Sequence, residues 1–376
     1  MSRLKKYRRE LHQLAELSLQ EYKTKEYIKK VLNALQIETV DILDTGVIGV
    51  FKVNEGESIA FRSDMDALPI EERLTHEFAS QTMGVMHACG HDGHMAMLLE
   101  FAHFLAENRA LITKNIVLVF QPAEETIGGA DLIVKSGILH SLKVIAIFGM
   151  HLFPSLEQGK IGSRSGEFIA KATEINIKFK GKSAHGAIPQ NGVDAIMAAS
   201  RFLLDVQVMM TREISPLEKA IVTFGKMHGG DVRNIVSEFA QIEGTIRVFN
   251  EDVYSHIVSR LVEMAKGYKL THRIEVEIEL KSGYPPVIND KVLFEKFKVG
   301  VSAMEFVEFS EPFMIAEDFS FYQRAFPGVF FFCGTKTLEH DIPLHNACYD
   351  FDEAALEYGV QAYICTVKEM GGLNGK

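Results

Sequence analysis

Long apolar runs, paired cysteines and basic stretches are all missing from this 376-residue chain. The longest apolar run, around "VIAIFGMHLF", falls far short of the roughly 20 residues that cross a bilayer, so no membrane span is expected. The four cysteines, Cys89, Cys333, Cys348 and Cys365, show no paired spacing, which argues against a disulfide scaffold and fits a reducing cytoplasm. "MSRLKKYRRELHQLAEL" at the start is charged and lacks the apolar centre of a secretory signal. Lys+Arg 40 against Asp+Glu 50 leaves a net charge of −10, without the basic footprint of a nucleic-acid binder. Internal repeats and low-complexity segments are absent too.

What remains is ordinary globular composition, 47% hydrophobic and 24% charged. A single core stops growing at roughly 250–300 residues, so two domains are expected. In the first half, β-branched runs ("VIGVFKV", "SIAFRSD", "NIVLVFQ", "KVIAIFGMH") alternate with helical patterns ("HMAMLLEFAHFLAEN", "GGADLIVKSGIL"). That order predicts an α/β domain, a mixed, largely parallel sheet sandwiched by helices. After "GSRSGEF" the pattern changes. "TEINIKFKG" alternates at period two, and a βαββαβ order follows over 172–284, an inserted α+β domain with one open sheet face. The strand "TEINIKFKG" and the Met-rich helix near Met209 are expected to offer an apolar edge that wants cover. "SGYPPVIND" reads as the return linker, so 1–171 and 285–376 form the first domain, with a strand "GVFFFCG" and a closing helix from about Asp352.

The stretch "MHACGHDGHMAMLLEFA" crowds three histidines, a cysteine and an aspartate at the mouth of a helix. Asp64 and Asp66 end one strand candidate, Gln121, Glu124 and Glu125 another, and His151 a third. In open α/β sheets ligands bind beyond the carboxyl ends of strands, so these groups converge on one edge. Each alone has a plain structural use: Asp64 or Asp66 as a cap, Glu124 and Glu125 as a solvated pair, His151 or Cys89 as a buried core residue. Together they crowd carboxylates that only cations would compensate. Cys, His and carboxylate ligands suit zinc or a similar transition metal, and six or more of them suit two ions about 3.5–4 Å apart. A spare carboxylate beside a ligand suits a general base.

"RSDMDALPI", "MHACGHDGHMAMLL", "VFQPAEE", "GMH", "GKSAHGAIP", "EGTIR", "AEDFSFY" and "PLHNACYDFDE" occur in this order. Together they resemble the M20 metallopeptidase family, in its cysteine-containing amidohydrolase branch. That branch holds hippurate and other N-acyl-amino-acid hydrolases and N-acetyldiaminopimelate deacetylases. The resemblance implies two divalent ions, Zn2+ or Mn2+ with Ni2+ or Co2+ as alternatives, on Cys89, His91, Glu125, His151 and His345, with Cys89 bridging. It implies Glu124 as general base, Asp64 and Asp66 as groups that orient ligands, and His87, Asp92 and His94 as structural supports. The insertion would be a dimerisation and lid domain. From it His185 would hold the reacting carbonyl, and Asn234 and Arg247 the substrate carboxylate. Two departures touch specificity: Ser183-Ala184-His185 replaces Gly-Gly-His, and Asn234-Ile235-Val236-Ser237 replaces Asn-Val-Ile-Pro.

The expectation is a cytoplasmic, homodimeric or larger metal-dependent amidohydrolase of small N-acyl amino acids, with N-acetyl-LL-diaminopimelate in lysine synthesis as the most specific candidate. A broader N-acyl-amino-acid or hippurate-type hydrolase is the alternative. From other classes stand a non-catalytic metal or small-molecule binding protein, and a thiol redox or metal-storage protein built on Cys89. The acyl group, the physiological metal and the pathway are not legible.

Overall fold

The strands Ser58–Asp64 and Asn115–Gln121 are buried at every position, as happens where helices cover both faces of a sheet. The computed structural model describes residues 1–374, without the Ser282 side chain; the last two residues of the expected 285–376 segment lie outside it. Eight strands form the larger sheet, in the order Glu38–Ile42, Gly46–Phe51, Asn115–Gln121, Ser58–Asp64, Val144–Glu157, Gly328–Lys336, Lys160–Ser163 and Glu305–Glu308. The central four run parallel. Antiparallel pairings join Glu38–Ile42 to Gly46–Phe51, that strand to Asn115–Gln121, and Lys160–Ser163 to Gly328–Lys336, so the sheet is mixed. Among the described residues no helix is long and apolar enough to cross a membrane.

The helix His91–Glu107 is the pivot of this unit, buried along most of its length. It packs against the helices Arg3–Gln13 and Ala355–Glu369 and against the strand Ser58–Asp64. Its first turn comes close to Val144–Glu157 because residue 93 is glycine: a Cβ there would meet Leu152 Cδ1 at 2.7 Å and Phe351 Cζ at 2.9 Å. The expected helix in "GGADLIVKSGIL" is two short ones, Gly129–Lys135 and Ile138–Ser141, parted at Ser136 and Gly137. The strand containing His151 runs on to Glu157, so His151 lies within it rather than at its end. It still reaches the expected edge: Gly149 pairs with Arg62, and His151 and Asp64 each follow by two residues.

The chain divides into two compact units, and the second comprises Ile169–Pro286 with Phe313–Ala316. The expected 172–284 omitted the return segment, where Ala170 N donates to Phe313 O at 2.9 Å. Its antiparallel sheet has the order Ala220–Gly229, Phe239–Val248, Lys171–Lys180 and Glu275–Ser282. Ile175, Ile177 and Phe179 pack with Phe202 and Val206 of the helix Ala195–Arg212 and with Ile257, Leu261 and Tyr268 of Glu251–Thr271. Both helices lie on one face, as the alternation predicts. Two expectations are corrected. "TEINIKFKG" is an interior strand, so the open edges are Ala220–Gly229 and Glu275–Ser282. Met209 belongs to the core, and the exposed large apolar side chains of its helix are Ile196, Met197, Leu204 and Val208.

The turn after Asn115–Gln121 carries Glu124 and Glu125, and two features set its path. Ala123 has φ of 57°, a left-handed conformation uncommon for a residue with a Cβ, and its N–H donates to buried Glu21 Oε1 at 3.0 Å. Gly129 then passes so near that a Cβ would lie 1.9 Å from Pro122 O. Gly129→Ala must therefore displace backbone, and urea unfolding should show a loss of about 1–3 kcal/mol; wild-type stability would refute the close approach. Burial raises the Glu21 carboxyl from its ordinary 4.5 to about 7. The folded state thus holds this proton more tightly, a contribution complete below pH 4.5 and lost as pH rises through about 7. Relative to Glu21→Gln, the wild type should lose up to roughly 3 kcal/mol of unfolding free energy across that window. Parallel pH profiles would show that Glu21 does not titrate there.

Candidate active site

A fully buried guanidinium underlies the strand edge. Arg62 donates to Asp64 Oδ2 at 2.7 Å, to Gln121 Oε1 at 2.9 Å and to Asp318 Oδ1 at 2.7 Å, with Glu317 Oε1 at 3.1 Å. One cation faces three carboxylates here. Burial pushes Glu317 up to about 8 and Asp318 up to about 6, against the pull of Arg62. Burial also raises Asp64, but His91, His94 and Arg62 together hold it well below the usual carboxylate range.

Above this base the imidazoles are oriented one by one. His94 Nδ1 donates to Asp64 Oδ1 at 2.6 Å and its Nε2 accepts from Leu152 N at 2.9 Å, so both nitrogens are occupied. His91 Nδ1 donates to the carbonyl of Asp66 at 2.8 Å, leaving Nε2 buried without a partner. His151 Nδ1 donates to Leu152 O at 2.6 Å, and its Nε2 lies 3.3 Å from Cys89 Sγ. His345, held at φ 63° with its N–H on Ala88 O, brings its own Nε2 to 3.3 Å from the same sulfur. Fixing one ring nitrogen so that the other points at a common centre is how metal-ligating histidines are held.

The Asp66 carboxylate accepts from Glu124 N at 3.1 Å, Glu125 N at 3.0 Å and Ser18 Oγ at 2.7 Å. It therefore fixes the turn that carries both glutamates. Glu125 Oε1 is buried without a hydrogen bond, 3.3 Å from His345 Nε2 and 3.9 Å from His91 Nε2. Glu124 is buried, and its carboxyl is pushed well above the ordinary range by burial and by Glu317, Glu125 and Asp318. Burial, Glu125 and Glu124 likewise push the Cys89 thiol well up.

Cys89, His91 and His151 bring ligand atoms within 4.8 Å of one another, as do Cys89, Glu125 and His345, and His91, Glu124 and Glu125. Two unpartnered buried atoms, His91 Nε2 and Glu125 Oε1, and a sulfur shared by two imidazoles fit divalent cations in number and kind. Asp92 points elsewhere, accepting from Arg8 Nε and His12 Nδ1, while His87 is buried with neither nitrogen bonded. Arg62, Glu317, Asp318 and Glu21 had no assigned role in the sequence reading. A charge inside the otherwise apolar run "SIAFRSD" was the one local signal, for Arg62.

The second unit holds the other named residues. His185 is exposed, pairs with Ile235 and accepts from Ala187 N at 3.1 Å. Asn234 is exposed, and its carbonyl accepts from Gly186 N at 2.7 Å. Arg247 is half-buried on Phe239–Val248, with Nη1 buried and unpartnered. Glu243, the simplest partner for it, is bonded to Lys226 at 2.8 Å instead.

Residues 60–369 match the family described as peptidase family M20/M25/M40. An N-acetyldiaminopimelate deacetylase of Lactobacillus acidophilus (strain NCFM) is 36% identical over 369 residues, 94% of each chain. An N-acetyl-L-cysteine deacetylase of Bacillus subtilis (strain 168) is 36% identical over 354 residues, covering 93% of this chain and 83% of its own. A Bacillus subtilis protein described as a dinuclear metal binding peptidase from the M20 family superposes with a TM-score of 0.84 at 32% identity, covering 98% of both chains. The chain belongs to peptidase family M20/M25/M40 and is an amidohydrolase of that family.

Proposed function

We propose that the chain hydrolyses the amide of N-acyl amino acids, with N-acetyl-LL-diaminopimelate as substrate and lysine synthesis in the cytoplasm as its setting. The observation that carries this is Glu124, a buried carboxyl beside Glu125, Cys89 and three imidazoles that converge on one centre. The names of relatives support an N-acetyl amino acid as the class, since two of them act on different members of it. A broader N-acyl-amino-acid or hippurate-type hydrolase remains the second reading.

Cys89 as a thiolate, with His91, Glu125, His151 and His345, would hold two divalent cations, Zn2+ or Mn2+. Bound there, the cations supply Lewis acidity, which acidifies a water and polarises the acyl carbonyl. The chain supplies the proton handling and the positioning. Glu124 takes the proton of the attacking water and passes it to the departing amine. Water thus adds across the C–N bond, its hydroxyl to the acyl carbon, releasing a carboxylic acid and the free amino acid. Asp66 fixes the backbone of Glu124 and Glu125, and Asp64 fixes His94 and faces His91 Nε2 at 3.7 Å. From the second unit we take His185 as the donor to the carbonyl oxygen and Asn234 and Arg247 as the groups for the substrate carboxylate. We also take this unit as the dimerisation domain. Thiol redox chemistry finds less support, because it leaves the buried Glu124 and the adjoining Glu125 without a role.

A panel of N-acetyl-diaminopimelate, hippurate and other N-acetyl amino acids, assayed by kcat/KM with added zinc or manganese, tests the class. No turnover of any of them refutes it. Cys89→Ser should reduce the metal content, and full occupancy with full activity would remove the sulfur from the centre. Glu124→Gln should keep the metals and lower kcat by about 10²–10⁴-fold; near-normal turnover would give the proton to another group.

Arg247 generates a separate expectation. Its guanidinium is partly desolvated and its Nη1 unpaired, which suits a charge-assisted grip on a carboxylate. Arg247→Ala should raise KM for an N-acyl amino acid, leave metal content unchanged and erase the preference over the corresponding C-terminal amide. An unchanged ratio of kcat/KM for acid and amide would exclude this role.

A further inference from the structure

A second group of ligand-capable side chains lies in the first unit and shares no member with the centre above. The segment between Leu68 and Met86 is closed at its base by a two-way backbone pairing of those residues, at 3.0 and 3.1 Å. It carries Glu72 and His76, while His12 belongs to the helix Arg3–Gln13. Ligand atoms of His12, Glu72 and His76 all lie within 4.8 Å of one another. Glu72 Oε1 is 3.2 Å from His12 Nε2 and 3.2 Å from His76 Nε2. Ligands about 2.1 Å from a tetrahedral zinc are about 3.4 Å apart, so the two spacings from Glu72 Oε1, the one to His12 being also a hydrogen bond, are compatible with a shared ion.

Hydrogen bonds orient two of the three side chains. His12 Nδ1 bonds Asp92 Oδ2 at 2.9 Å and its Nε2 bonds Glu72 Oε1 at 3.2 Å; against burial, Asp92 and Glu72 raise this imidazole to about 9, so an ion bound at Nε2 would displace a proton. Glu72 is oriented through its other oxygen, which accepts from Ser80 N at 2.7 Å. His76 is held by stacking on Phe78, with ring centroids 3.8 Å apart, yet both its nitrogens are buried without a hydrogen bond. Such orphaned atoms are costly unless something binds them. The His12 and Glu72 side chains are 1% and 6% exposed, while that of His76, at 18%, leaves a path from solvent.

We infer that His12, Glu72 and His76 form a further binding site for zinc or a similar divalent transition metal, one that clamps the 68–86 loop to the N-terminal helix. The set is two imidazoles and one carboxylate, with room for water or another ligand in the remaining position. Through Asp92 in the first turn of His91–Glu107, the clamp also reaches the helix that carries His91. It does not rest on the function proposed above.

The test counts metal rather than turnover. Full-length protein is stripped with chelator, reloaded with zinc alone, desalted, and its zinc per chain measured by mass spectrometry. His76→Ala and Glu72→Gln should each bind one ion fewer than wild type, with unchanged circular dichroism. His151→Ala should lower the count independently, so that His76→Ala/His151→Ala falls below either single variant. Wild-type zinc in both His76→Ala and Glu72→Gln overturns the site and leaves an ion pair of His12 with Asp92 and Glu72. Loss in those two variants but not in His151→Ala would keep this site and count against the catalytic one.

Discussion

Arg62 is the constraint on which the rest of the site depends. A guanidinium removed from water costs several kcal/mol unless it is paired and fully hydrogen-bonded. Asp64, Asp318 and Gln121 complete it, with Glu317 beside them. These partners come from the strands Ser58–Asp64 and Asn115–Gln121 and from the segment before Ser320–Ala325, so one side chain ties three parts of the unit together. The pairing overshoots, however. Three carboxylates meet one cation, and Glu124 adds a fourth acid near enough to be raised by Glu317. Burial first, and neighbouring acids after it, raise Glu317, Asp318 and Glu124, so these carboxyls keep an affinity for protons.

The surplus would be indiscriminate without control of the imidazoles. His94 is spent on Asp64 and on the backbone of Leu152, which makes it a spacer between carboxylate and strand. His91 and His151 each give one nitrogen to a carbonyl and keep the other for the centre. Gly93 eases this packing, since a Cβ there would meet the side-chain tips of Leu152 and Phe351, and either they or the helix that carries His91 would have to shift. Packing at an apolar contact thus sets the position of a polar one.

The legible parts of this arrangement were local. "HACGHDGH" marks a helix mouth by itself, and "NIVLVFQPAEE" places two glutamates just past a strand because the apolar run ends where they begin. The fully buried strands and the alternation of Lys171–Lys180 could be read for the same reason: each carries its own periodicity. What escaped was non-local or set by packing. Arg62 and Asp318 are 256 residues apart, and nothing near either names the other. The edge strands Glu38–Ile42 and Glu305–Glu308 are short and half-exposed, so they lack a pattern to detect. His12 is separated from Glu72 and His76 by a helix and three strands, and only the fold makes it their neighbour.

Glu124 and Glu125, the proposed base and one proposed ligand, are adjacent in the chain, yet their surroundings differ. Glu125 Oε1 lies near His345 and His91, while Glu124, which also lies near His91, is acted on by Glu317, Glu125 and Asp318. Asp66 takes the N–H of both, so neither can turn without disturbing the other. A carboxylate beside cations is stabilised in its charged form, whereas one beside other acids keeps its affinity for protons. Placing consecutive residues on the two sides of that boundary would separate the proposed ligand from the proposed proton carrier with no further machinery. The left-handed turn at Ala123, anchored by Glu21, is what holds the boundary between them.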